Sequence, residues 1–191
     1  MDDIFLTSIY RKTMSSGVKI LPHYTYEDWL HWEGQWELID GIPYAMSPMP
    51  VPEHQRVGGN VVTEYRQALR SCNNCKAYLP IDYKVSEETI LQPDMLVVCD
   101  EITKKYLDFS PALVVEILSP STALKDRHTK FEIYQSQQIN YFLIINCEIQ
   151  EVEVYQLQDN VLQLKSQGKD VQFEFAFEDC KVLIEFGRIW E

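Results

Sequence analysis

The chain has 191 residues, 46% of them hydrophobic and 24% charged, which is enough to bury a core and ordinary for a soluble globular protein. Its formal net charge of -12 argues against a broad duplex-binding surface, because such surfaces rely on Lys and Arg to neutralise phosphates. A carboxylate cluster that carries a cation escapes this objection, since the metal brings the positive charge.

The opening segment MDDIFLTSIYRKTMSSG lacks the apolar core of a secretory signal, and no run approaches the ~18 apolar residues of a membrane span. The expected location is the cytoplasm, with no membrane partner. Residues 1–22 read as an N-terminal arm ending at Pro22, and residues 23–191 as one domain. The five cysteines are an odd number without an export signal, so reduced thiols are expected. Cys72 and Cys75 form a CxxC, but neither a second pair nor histidines at zinc spacing accompany it.

Thr25 to Asp28 reads as a capping box that starts a short helix over 26–33. In WELIDGIPYAMS, residues alternate about Asp40-Gly41, a two-residue hairpin turn signal. Pro48, Pro50 and Pro52 mark a loop. From Glu53 to about Arg70, Val57, Val61, Tyr65 and Leu69 recur every four residues and line one helical face. Gly58-Gly59 weakens that helix by about 1 kcal/mol per glycine relative to Ala, which suggests close approach of another backbone.

AYLPIDYKVS alternates through Ile81, Tyr83 and Val85 as a strand. DMLVVC (94–99) and ALVVEIL (112–118) are near-continuous apolar runs suited to strands covered on both faces, with a polar connection between them. SPST is a turn and helix start, followed by a helix over 124–137. Tyr141 to Cys147 is a further buried strand, EVEVYQL alternates as a half-exposed one, and VLQLKS, FEFAF and VLIEF follow as short strands. Strands framed by helices predict a mixed α/β or α+β fold, a β-sheet flanked by helices.

Glu116 is the most informative residue, because it lies inside an apolar strand and an ionised carboxylate is costly to bury alone. It needs a partner, a proton or a metal. Asp94 begins the preceding apolar strand, directly after Pro93. If the strands are neighbours the two carboxylates converge, a pair suited to Mg²⁺ or Mn²⁺, with a main-chain carbonyl such as that of Ile117 completing the protein's share. A Glu116 paired with Arg or Lys, and Asp94 as a mere strand start, is the plainer alternative.

The segments QPDMLVV, PALVVEILSPST and KDRHTKFEIYQSQQINYFLIIN, with ELIDG and EHQ upstream, resemble the Uma2 family of the PD-(D/E)XK nuclease superfamily over roughly residues 24–157. The resemblance implies a restriction-endonuclease-like fold and a metal-dependent endonuclease acting on nucleic acid, DNA above all. It makes Asp94 the first acid and Glu116 the second. Where the superfamily pattern carries a lysine two residues after the second acid, this chain has Leu118, and the resemblance points instead to Lys130 on the following helix. Asp126, Lys130 and Tyr134 are four apart and share a helical face, so a surface pair of Lys130 with Asp126 is the alternative. Glu37 matches an acid that such nucleases supply from an N-terminal element; a solvent-facing hairpin Glu is equally compatible. His54 is a candidate for positioning water or phosphate, Arg127 and His128 lie near enough to help, and Tyr134 reads as core packing.

A homodimer is expected from the prevalence of two-fold assemblies and from the pairing of restriction-like nucleases. Two other functions fit the residues: a catalytically inactive descendant that binds nucleic acid or protein, and a metal-free acid/base pair acting on a sugar.

Overall fold

The structure, a computed structural model, describes residues 22–46, 51–119, 125–178 and 180–191. Of the expected N-terminal arm, residues 1–21 lie outside the described part, as do residues 120–122 of the SPST turn.

Helix α1 spans Tyr26–Trp29, shorter than the sequence suggests, and its capping box is present: the Thr25 amide and hydroxyl donate to Asp28 Oδ2 at 2.8 and 2.9 Å. Strands β1 (Trp36–Ile39) and β2 (Ile42–Ala45) form the expected hairpin, with Ile39 opposite Ile42. Its two turn residues, Asp40 and Gly41, have φ of 49° and 74°, the left-handed pair that a tight primed turn requires. A side chain at Gly41 would also strike the His23 ring, 2.2 Å from a Cβ.

Helix α2 spans Pro52–Ala68 and runs into a 3₁₀ turn, Leu69–Ser71. Val57, Val61, Tyr65 and Leu69 are all buried, as their spacing predicts. The glycine pair has a different explanation from the one expected. A Cβ at Gly58 would lie 3.2 Å from the Ile117 side chain, not from a backbone, while at Gly59 nothing lies within 4 Å. The helix thus comes close to the end of the strand bearing Glu116.

The single strand expected across AYLPIDYKVS is two, β3 (Lys76–Tyr78) and β4 (Tyr83–Ser86), which belong to different sheets. Strand β5 (Thr89–Leu91) was not legible, being three residues without room to alternate. β6 (Met95–Val98) and β7 (Leu113–Ile117) follow as predicted. The predicted helix begins as a π-helical segment, Lys125–Lys130, and becomes α3, Phe131–Ser136. β8 (Tyr141–Asn146), β9 (Glu151–Gln158), β10 (Val161–Gly168), β11 (Gln172–Ala176) and β12 (Lys181–Glu185) complete the strands, and a 3₁₀ turn, Phe186–Trp190, follows. No described helix is long and apolar enough to cross a membrane.

Six strands form the main sheet in the order β10-β9-β8-β7-β6-β3. Within it β7 and β8 pair in parallel and the other pairs are antiparallel. A parallel pair demands a crossover, and here the π segment and α3 lie on it. Alternate residues of the central strands feed two cores, so the sheet is covered on both faces as its apolar runs imply. Met95, Val97, Val115 and Leu143 pack under α2 with Phe175 and Ile184 of the β11-β12 pair. Leu96, Val98, Val114, Phe142 and Ile144 pack against Tyr134, with Ile39, Tyr83 and Leu91 of the smaller sheet β2-β1-β5-β4.

The expectation of reduced thiols is overturned. Cys72 is bonded to Cys180 and Cys75 to Cys99, leaving Cys147 as the free cysteine. The CxxC therefore contributes one cysteine to each bond. These partners are 108 and 24 residues away in sequence: the antiparallel pairing of β3 with β6 brings Cys75 to Cys99, and the fold brings the end of the α2 segment to Cys180.

Candidate active site

The site lies where β7 ends and β6 begins. In the antiparallel register Met95 faces Val115 and Leu96 faces Val114. Asp94 lies in the bend just before β6, and Glu116 is the residue after Val115 in β7, so the two acids come to the same end of the strand pair. The Asp94 charge is near enough to raise the proton affinity of the Glu116 carboxyl. The Ile117 amide donates to Asp94 Oδ2 at 2.7 Å and fixes that carboxylate.

Glu116 is 2% exposed, and two groups meet its Oε1: Lys130 Nζ at 2.9 Å and the Tyr134 hydroxyl at 2.5 Å. Tyr134 is thus core packing and also a hydrogen-bond donor to the site. Lys130 Nζ further contacts Glu37 Oε1 at 2.7 Å and Asp126 Oδ1 at 3.3 Å. The pair with Asp126 exists, but both residues are buried, so it is no surface pair. Glu37 is fully buried, not solvent-facing, and its Oε1 also accepts the Gln92 amide at 3.0 Å. Its Oε2 is met by Lys125 Nζ. Leu118, in the position a lysine holds in the superfamily pattern, packs into the apolar core on the α3 side. Lys130 brings its charge to Glu116 from the crossover.

Electrostatics follow from this burial. Desolvation drives the Glu116 carboxyl well above its ordinary range; Lys130 opposes the shift, and Asp126, Asp94 and Glu37 reinforce it. Burial alone would strip Lys130 of its proton, yet Glu116, Glu37 and Asp126 reverse that and hold the ammonium well above its usual range. Burial also pushes Glu37 upward, but Lys130 and Lys125 more than offset it, so the carboxyl ends below its ordinary value. Burial, then Glu116, keeps the Tyr134 phenol protonated. The cluster therefore combines a strongly held cation at Lys130, a Glu37 carboxyl kept low and a Glu116 carboxyl pushed high.

His54, at the start of α2, reaches the same strand end. Its Nε2 lies 3.0 Å from the Ile117 carbonyl and 3.5 Å from Asp94 Oδ1. Burial lowers its basicity, but Asp94, through hydrogen bond and charge, leaves it above the usual histidine value. The other candidates fall outside this arrangement or have another partner. Arg127 is 2.6 Å from Glu153 Oε1 across the crossover. His128 has no contact with these carboxylates among the described residues.

Among the described residues no three His, Cys, Asp or Glu side chains are placed as a ready metal cage. The available donors are two carboxylates and one carbonyl: Asp94, Glu116 and Ile117 O. They are hard oxygen ligands that leave room for waters, the chemistry that Mg²⁺ and Mn²⁺ accept. A cation bound here would offset the desolvation and the neighbouring carboxylates that raise the Glu116 carboxyl.

Two residues of the cluster were not candidates for the site from the sequence. Asp126 was visible through its spacing to Lys130, but its burial was not. Lys125 had no signal, because its partner Glu37 lies 88 residues away.

Comparison with known proteins bears on the fold and the family. A solved structure from Anabaena variabilis, described as a "putative nuclease belonging to DUF820", superposes with a TM-score of 0.69 at 15% identity, covering 87% of this chain and 97% of that one. At this identity the match establishes the fold, a mixed α+β nuclease-like architecture. An uncharacterized protein of Synechocystis, slr1290, is 30% identical over 148 residues, which span 73% of this chain and 77% of that protein. The model of the Uma2 family, described as "Putative restriction endonuclease", matches residues 24–179. With that match over most of its length, the chain belongs to the Uma2 family.

Proposed function

We propose that the protein is a divalent-metal-dependent endonuclease that hydrolyses phosphodiester bonds of nucleic acid, DNA above all. One observation carries the reading: Asp94, held by the Ile117 amide at 2.7 Å, and the buried Glu116 meet at one end of β7, with Lys130 Nζ 2.9 Å from Glu116. Asp94, Glu116 and Ile117 O would hold Mg²⁺ or Mn²⁺, which when bound supplies Lewis acidity and a water of lowered pKa. Lys130 places a fixed positive charge beside the reacting phosphate and stabilises the charge growing on it. Glu37 and Tyr134 position Lys130 and Glu116. His54 orients Asp94 and the Ile117 carbonyl from the α2 side. The metal's charge also accounts for how a chain of net charge -12 accepts a polyanion. A two-fold homodimer would present two such sites to two strands.

Nicking of supercoiled plasmid tests this. Wild type should nick with Mg²⁺ or Mn²⁺ and stop with chelator, whereas Asp94→Ala and Glu116→Ala should lose at least a hundredfold. Equal nicking by the double variant would remove the assignment.

A second reading is favoured by one contact pattern. Lys130 and Tyr134 both meet Glu116 Oε1, as in a structural ion pair within a non-catalytic nucleic-acid or protein binding module. Calorimetric titration with Mn²⁺ separates the two, since the binding module takes up no metal at these residues.

A further inference from the structure

The site contains two lysines on one carboxylate, and they are not equivalent. Lys130 is 3% exposed and contacts Glu37, Glu116 and Asp126, so it cannot leave without stranding several buried charges. Lys125 is 16% exposed and pairs with Glu37 Oε2. If Lys125 departs, Glu37 still has Lys130 at 2.7 Å and the Gln92 amide at 3.0 Å, both on Oε1. The departure of Lys125 therefore leaves Glu37 its Oε1 partners and costs the site only the Oε2 contact, which the gain of a phosphate contact by Lys125 has to offset. Its Nζ also stands 5.5 Å from the ring centroid of Tyr44, which is 37% exposed on the hairpin's second strand. Lys125 thus connects the buried cluster to the surface. Arg127, two residues on, is already paired with Glu153.

We infer that Lys125 is the phosphate-binding residue of the site: it exchanges its contact with Glu37 for a backbone phosphate of the bound strand. The inference rests on the nucleic-acid reading above and goes beyond it by naming the cation that takes up the substrate. The exchange is a relocation of one ammonium group, with no covalent step. It leaves the Glu37–Lys130 pair, and so the orientation of Glu116, unchanged.

The test uses fluorescence anisotropy with a labelled DNA oligonucleotide, single-stranded and duplex, over a series of salt concentrations. The proteins are the wild type, Lys125→Gln and Lys125→Arg. One phosphate contact contributes about 0.7–0.9 to the slope of log affinity against log salt, equivalent to about tenfold in affinity at roughly 50 mM salt. Lys125→Gln should lose that much slope and affinity, and Lys125→Arg should recover both. A merely structural lysine would lower the melting temperature of Lys125→Gln and leave the slope unchanged. If wild type binds and Lys125→Gln matches it in affinity and slope, the phosphate role is wrong and the nucleic-acid reading stands. If wild type binds neither oligonucleotide, the nucleic-acid reading itself falls, and this inference with it.

Discussion

Replacing Lys130 by Met removes the central charge of the cluster and keeps most of its volume. In the metal-free protein, Glu37, Glu116 and Asp126 then face one another with their shared counter-ion gone. At 2.9 Å and an effective dielectric near 20, one such contact amounts to about 6 kcal/mol before desolvation is counted. The ammonium no longer has to be desolvated, and Glu116, whose carboxyl already rides high, takes up a proton. Breaking a buried ion pair in this way costs about 3–5 kcal/mol. For a chain of this size, each kcal/mol lowers the melting temperature by about 2–4 °C, so the expected fall is roughly 6–20 °C. Thermal unfolding followed by circular dichroism at neutral pH, with chelator present, reads it. Glu116→Gln in the same background should return part of the loss, because the amide is neutral without the cost of protonating the carboxyl at neutral pH. The reasoning fails if Lys130→Met melts within about 1 kcal/mol of wild type, or if the two substitutions add without coupling.

Three further outcomes follow from the same structure. Glu37 has a folded pKa below its unfolded value near 4.5, so its stabilisation is present above that pH and is lost as pH falls through the folded value. Glu37→Gln should lower the melting temperature at neutral pH and flatten that acid limb, measured by melting from pH 3 to 7. His54 has a folded pKa above 6.5, so the stability contributed by its ionised ring is complete below that pH and declines as pH rises through the folded value. NMR titration of the imidazole should place its midpoint above 6.5, and Asp94→Asn should bring it down. Reduction of the Cys72–Cys180 and Cys75–Cys99 bonds should lower the melting temperature, since loops of 108 and 24 residues constrain the unfolded chain by about 5 and 3.5 kcal/mol in the entropic account. Alkylation of the unfolded, unreduced protein should label Cys147, whereas full labelling without reductant would contradict both bonds.

What could be read in the sequence was what repeats over short distances. Val57, Val61, Tyr65 and Leu69 declared one helical face, and Asp40-Gly41 declared the hairpin, because period and turn chemistry are local. Asp94 and Glu116 stood out as acids at the edge of or within apolar runs, where solvation makes them costly. Lys130 had only its spacing to Asp126 and Tyr134, which fits a solvated stripe and a buried one alike. What decides between them is the docking of the Glu37 hairpin onto the crossover, across about ninety residues of chain, and no local pattern encodes that. The same limit hid Lys125, the split between β3 and β4, and the partners of the cysteines.

The placement of Asp94 and Glu116 has a consequence for how the site tolerates change. Glu116 takes its direction from the pleat of β7, and Asp94, in the bend before β6, is held by the Ile117 amide of that same strand. A slip of a single residue between β6 and β7 would turn the side chains of the slipped strand to the other face and part Asp94 from the Ile117 amide. The apolar contacts that lock those strands, Leu96 against Val114 and Met95 against Val115, are therefore also the alignment device for the acids. Exchanges among these residues that preserve volume leave the carboxylates at the same strand end. One that lets the strands slide disperses them without touching either acid.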